Sequence, residues 1–74
     1  MYCLIEKNGN YVKPLAVSKH ACPLIYKLRE TAKDFVRARY DGEVLEDMLH
    51  EIELSVVFWR DDDYYLTIDE TEEI

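Results

Sequence analysis

Four side chains in this 74-residue sequence are of the types that hold zinc: Cys3, His20, Cys22 and His50. Structural zinc sites draw their ligands from close pairs such as C-x-x-C with H-x-x-x-H. Here His20 and Cys22 form a single H-x-C pair and the other two stand alone. The pattern argues for two reduced, largely buried thiols and a surface histidine rather than a metal centre. Cys22, beside Lys19 and near the start of a helix, sits where a thiol can become reactive. No G-x-S-x-G, P-loop or H-E-x-x-H motif accompanies it. His50 and Glu51 are adjacent, so on a helix they project about 100° apart and make a poor acid–base couple. Asp61, Asp62 and Asp63 could hold a divalent cation only loosely, because they lack the D-x-[DN]-x-[DN]-G order of an EF-hand. A chain this short also has little room for a concave site of about 300 Å³ or more. The expectation is a protein with no enzymatic activity, no cofactor and no metal.

The elements that must position these residues are legible as three changes of period. Tyr2–Lys7 and Tyr11–Val17 are strand-like runs separated by Asn8-Gly9, a dipeptide suited to a type I′ hairpin turn. With Asn8-Gly9 as the turn, Ile5 faces Val12 and Glu6 faces Tyr11. Pro14 cannot donate a ladder hydrogen bond, so its strand lies at a sheet edge or ends early. Leu24, Ile25, Leu28, Ala32, Phe35, Val36 and Tyr40 then recur at steps of three and four, the stripe of an amphipathic helix. Pro23 suits the first helical position, where its missing N–H costs nothing. Asp41-Gly42 interrupts the stripe before Val44, Leu45, Met48, Leu49 and Ile52 begin a second one. Finally SVVFWR and YYLTID read as strands, with Asp61-Asp62-Asp63 as the hairpin loop between them.

The predicted fold is therefore a small two-layer α+β domain spanning residues 1–74. Its order is ββααββ, with an antiparallel sheet packed on two helices. An apolar content of 49% is too high for a disordered chain despite 34% charged residues. No apolar run approaches the roughly 20 residues of a membrane-spanning helix, and the first residues do not read as a signal peptide. With only two cysteines, the chain reads as cytoplasmic.

Charge is the strongest functional clue. Residues 1–40 carry eight basic and three acidic side chains, a balance of +5, and residues 41–74 carry one basic and thirteen acidic, a balance of −12. One reading is internal pairing: Arg29, Lys33 and Arg37 on the first helix face Glu43, Glu46, Asp47 and Glu51 on the second. Exposed pairs of this kind contribute only about 0–1 kcal/mol each. The other reading is an acidic recognition surface on the terminal hairpin, made of Asp61, Asp62, Asp63, Asp69, Glu70 and Glu72. Carboxylates on alternate strand positions stand about 6.7 Å apart, a spacing similar to that of phosphates along a nucleic-acid strand. Trp59 and Tyr65 would add apolar anchoring, since aromatic residues dominate the energetics of most interfaces.

In size and acidity the chain resembles the small phage-encoded inhibitors that mimic DNA, among them anti-restriction, anti-CRISPR and uracil-DNA glycosylase inhibitors. The resemblance lies in size and charge, not in a motif. It implies a non-enzymatic inhibitor or regulator that occupies the basic surface of a nucleic-acid-binding or nucleic-acid-processing protein, without binding nucleic acid itself. The alternative is a small structural or regulatory subunit that forms a homodimer through its sheet edge or helical face, its acids serving only solubility. Direct nucleic-acid binding by Lys27, Arg29, Lys33 and Arg37 is disfavoured, because the acidic half would repel phosphates.

Overall fold

The computed structural model describes residues 1–71. Its elements are β1 (Tyr2–Asn8), β2 (Tyr11–Ser18), α1 (Ala21–Arg37), α2 (Gly42–Leu54), β3 (Phe58–Asp61) and β4 (Tyr64–Glu70). This is the ββααββ order that the periodicities predict. The four strands form one antiparallel sheet in the order β2-β1-β4-β3. Both hairpins thus join through the central pair β1 and β4. α1 lies across all four strands, and α2 rests on α1. No helix among the described residues is long and apolar enough to cross a membrane.

One face of the sheet makes the core. Leu4, Leu66, Ile68, Tyr64 and Trp59 meet Leu24, Leu28, Ala32 and Val36, which stand four residues apart along α1, and Ile52 closes the cluster from α2. Phe35 organises the aromatic end: its ring stacks on Tyr64 with centroids 3.9 Å apart and meets Trp59 edge-on at 5.9 Å. α1 begins at Ala21, so Pro23 occupies its third position and not the first. Its missing N–H is still harmless there, because the whole first turn lacks intrahelical acceptors. Gly42 turns the chain between the helices at φ +62°, a conformation in which a Cβ would be strained.

Both hairpins differ from the predicted registers. The first turn is Gly9-Asn10, with Asn8 opposite Tyr11 and Glu6 opposite Lys13. Gly9 alone of these takes a positive φ, and its N–H donates to the Asp63 carbonyl at 3.1 Å, tying the two hairpin turns together. In β2 an irregularity beside Leu15 leaves Pro14 opposite Ile5 and Ala16 opposite Leu4. β2 is an edge strand, the first of the two places open to Pro14. The second turn is Asp62-Asp63, with Asp61 still paired to Tyr64 and Asp62 at φ 56°.

Among the described residues, no element packs over the opposite face of the sheet. The registers put its side chains in rows that cross the strands. Nearest the turns lie Arg60, Tyr65, Lys7 and Val12. A middle row holds Phe58, Thr67, Ile5 and Pro14. Asp69, Cys3 and Val17 lie at the far end. Val12, Val17 and Phe58 are each about half exposed, at 56%, 58% and 50%.

Candidate interaction surface

The acidic residues assigned to the terminal hairpin do not form one patch. Asp61, Asp62 and Asp63 cluster at the turn, whereas Asp69 and Glu70 lie at the other end of β4, about 20 Å away by strand rise. Asp69 lies on the open face and accepts a hydrogen bond from Thr67 Oγ1 at 3.3 Å. Glu72 lies outside the described residues. At the turn, Asp61 is half-buried and accepts the Tyr40 hydroxyl at 2.7 Å. That bond, and then burial, raises the Tyr40 pKa. Asp62 and Asp63 are exposed, and Arg60 Nε donates to the Asp62 carbonyl rather than to a carboxylate. A shallow cleft of about 260 Å³ opens between this turn, Phe35, Arg39 and Tyr40. Tyr64 closes its floor and donates to Glu6 Oε2 at 2.6 Å. Burial first, then that bond, pushes the Tyr64 hydroxyl well above the usual phenol range.

The two aromatic anchors fare differently. Trp59 is 2% exposed and belongs to the core, so it cannot touch a partner. The reason is pairing: Trp59 stands opposite Leu66, whose side chain points to the helices. Its neighbour Phe58 takes the outer position instead. Tyr65 does lie on the open face, tilted against Phe58 at 5.6 Å and beneath the Lys7 ammonium at 5.2 Å. Its surroundings there are apolar and cationic, not acidic. Of the two thiols, Cys3 is half-buried and Cys22 is exposed, so the expected burial fails for Cys22. Among the described residues, no three His, Cys, Asp or Glu side chains converge as a metal site would require.

The acidic surface that the hairpin reading missed is on α2. Glu43, Asp47 and Glu51 repeat at four-residue steps, about 6 Å of helix rise each, with Glu46 beside them, and all four are exposed. Their spacing is plain in the sequence, where internal pairing with α1 was the competing use for them. The structure shows little such pairing. Among the described residues the ion pairs are Lys33 with Glu53 and, more loosely, Lys33 with Glu30. The Lys33–Glu53 hydrogen bond lowers the Glu53 pKa and raises that of Lys33. Two other cations are engaged elsewhere: Arg29 Nε donates to the Ser55 carbonyl at 2.8 Å, and the Arg39 guanidinium lies 4.2 Å from the centre of the Phe35 ring.

No protein-family model, curated protein or solved structure matches the chain.

Proposed function

We propose that this chain is a non-enzymatic acidic binding module, an inhibitor or regulator that occupies the basic, nucleic-acid-binding surface of a partner protein. The face of α2 carrying Glu43, Glu46, Asp47 and Glu51 supplies the main field, and Asp62 and Asp63 add to it. One observation carries this reading: α2 stacks Glu43, Asp47 and Glu51 on one exposed face, and among the described residues none of them forms an ion pair. Like charges at i, i+4 oppose helix formation by about 0.2–0.5 kcal/mol per pair. Glu51 and Glu53 also lie in the C-terminal half of α2, toward the negative pole of the helix dipole, and its last turn holds no basic residue. Only Glu53 recovers a cation. Sequences tend to break local rules of this kind where function demands it.

A rigid row of carboxylates is an acceptor-only, regularly spaced anionic surface, and its attraction for a basic groove extends about 8 Å at physiological salt. The test is capture by the tagged chain from a lysate of its source cell, at low and moderate salt, with and without added duplex DNA. The expected result is a partner released by both salt and DNA. The same capture with Glu43, Glu46, Asp47 and Glu51 changed to their amides should fail. A partner indifferent to salt, to DNA and to those four changes overturns the proposal.

A further inference from the structure

We infer that the open face of the sheet is a self-association surface, on which a second copy of this chain packs sheet to sheet about a two-fold axis. Exposed apolar area is the first reason. Val12, Val17 and Phe58 are half exposed around Ile5 and Tyr65, on a face that no element covers among the described residues.

Charge identifies the occupant. The turn row holds two cations, Arg60 and Lys7, on the strands flanking Tyr65 of β4, and the far row holds one anion, Asp69, also on β4. Within one chain Asp69 lies about 13 Å along the sheet from that row. Among the described residues none of the three forms an ion pair. A second copy turned over about an axis that runs across the strands, through the Thr67–Ile5 row, sets each strand over its own counterpart with the ends exchanged. Asp69 of each copy then faces Tyr65 of the other. It lies between Arg60 and Lys7, whose strands run about 4.8 Å to either side. The contact is made twice, as an isologous interface requires. Aligned sheets cross at about 30°, which moves the end rows sideways by about 3–4 Å. That is less than one strand spacing, so Asp69 keeps a long cationic side chain within reach.

The edges of the sheet are less suitable. Pro14 and the irregularity at Leu15 interrupt β2, and β3 is four residues long; both features block strand addition. Face packing also leaves the two acidic α2 helices on the outer sides of the pair, where they repel least. Each copy offers roughly 400 Å² in plan (three rows by four strands). That is below the size of a standard stable interface, so the pair is a weak, transient one.

This inference stands apart from the role of α2, and its test needs no partner. Sedimentation velocity on the whole chain, from about 1 μM to about 1 mM, should show a monomer–dimer equilibrium. Asp69→Lys should weaken it at least tenfold. The triple change Asp69→Lys, Lys7→Glu, Arg60→Glu should restore it, because the symmetric contact is then rebuilt with its signs reversed; far-ultraviolet circular dichroism checks that each variant folds. A monomer throughout, a dimer indifferent to Asp69→Lys, or no recovery in the triple variant would each overturn the inference.

Discussion

Replacing Tyr64 by Phe removes one oxygen and nothing else from the point where sheet, helix and turn meet. Tyr64 is 7% exposed, its ring stacks within 8° of parallel on Phe35, and its hydroxyl donates to Glu6 at 2.6 Å. A hydrogen bond to a charged group contributes about 1.5–3 kcal/mol net. Glu6 is only half-buried, so water can take over part of the bond, and about 1–2 kcal/mol is the expected cost. For a domain of this size that lowers the melting temperature by about 4–15 °C. A thermal-melt double-mutant cycle with Glu6→Gln isolates the bond from any change in packing, and it should return a coupling near 1 kcal/mol. The alkaline limb gives a second readout. An unfolded tyrosine ionises near pH 10, whereas burial and the Glu6 carboxylate hold Tyr64 protonated in the folded chain. This contribution is complete below about pH 10 and is lost as the pH rises above it. Tyr64→Phe should therefore lose less stability on going from neutral pH to about pH 11 than the parent chain does. Tyr40, shifted in the same direction by Asp61, keeps some slope in both. A coupling below about 0.3 kcal/mol, or identical alkaline slopes, would refute the assignment.

Three further expectations test the placement of the other elements. Trp59→Ala should cost about 3–5 kcal/mol, enough to unfold much of so small a domain, while Phe58→Ser on the open face should cost far less; similar urea midpoints for the two would contradict the observed facing of β3. Gly9→Ala forces a Cβ into a left-handed turn and should cost about 1–2 kcal/mol, visible in the same titration, although the space around it is open. The Glu53 carboxylate, held low by Lys33, contributes stability that is present above its unfolded pKa near 4.5 and lost as pH falls below it; Glu53→Gln should flatten that part of the acid limb, and an unchanged limb would show the pair to be inert.

The element order was legible because each segment repeats one period for long enough to be unambiguous. The α1 stripe from Leu24 to Val36 is the clearest case. What could not be read was the position of the first turn and the length of the second, and the two errors differ in consequence. At the first hairpin the predicted turn, Asn8-Gly9, and the observed one, Gly9-Asn10, both have two residues. Sliding the turn by one moves the pairing by two, so side chains from Tyr11 to Pro14 keep their face, and only the irregularity at Leu15 exchanges Ala16 with Val17. At the second, a three-residue Asp loop would pair Trp59 with Tyr65, whereas the observed two-residue turn pairs it with Leu66. A change of one residue in loop length reverses the parity of the strand. That change alone exchanges Trp59 with Phe58 between core and surface. The clue was present in β4, where Tyr64, Leu66 and Ile68 are uniformly apolar and Tyr65, Thr67 and Asp69 are not. For the acidic surface, carboxylates on α2 and on the hairpin look alike in a sequence. Which of them find cations depends on where Arg29 of α1 and Arg39 beyond its end are spent, and that is a tertiary matter.

The two surfaces also bear on one another. α1 covers the core face of the sheet, and α2 packs on α1 and sends Ile52 into the core, so α2 lies on the helical side, away from the open face. Binding at one leaves the other free. A face-to-face pair would therefore present two acidic helices, and a target with two basic grooves within its span would bind the second as an intramolecular step. The consequence differs from that of weakening either surface alone. Asp69→Lys leaves α2 untouched, so a target with one groove should bind the variant and the parent chain equally. A target with two grooves should release the variant faster, with the difference growing at chain concentrations above the dimer dissociation constant. Dissociation rates measured on a surface at low and high density of the captured partner separate the cases. Equal rates at both densities would mean that the two surfaces act independently.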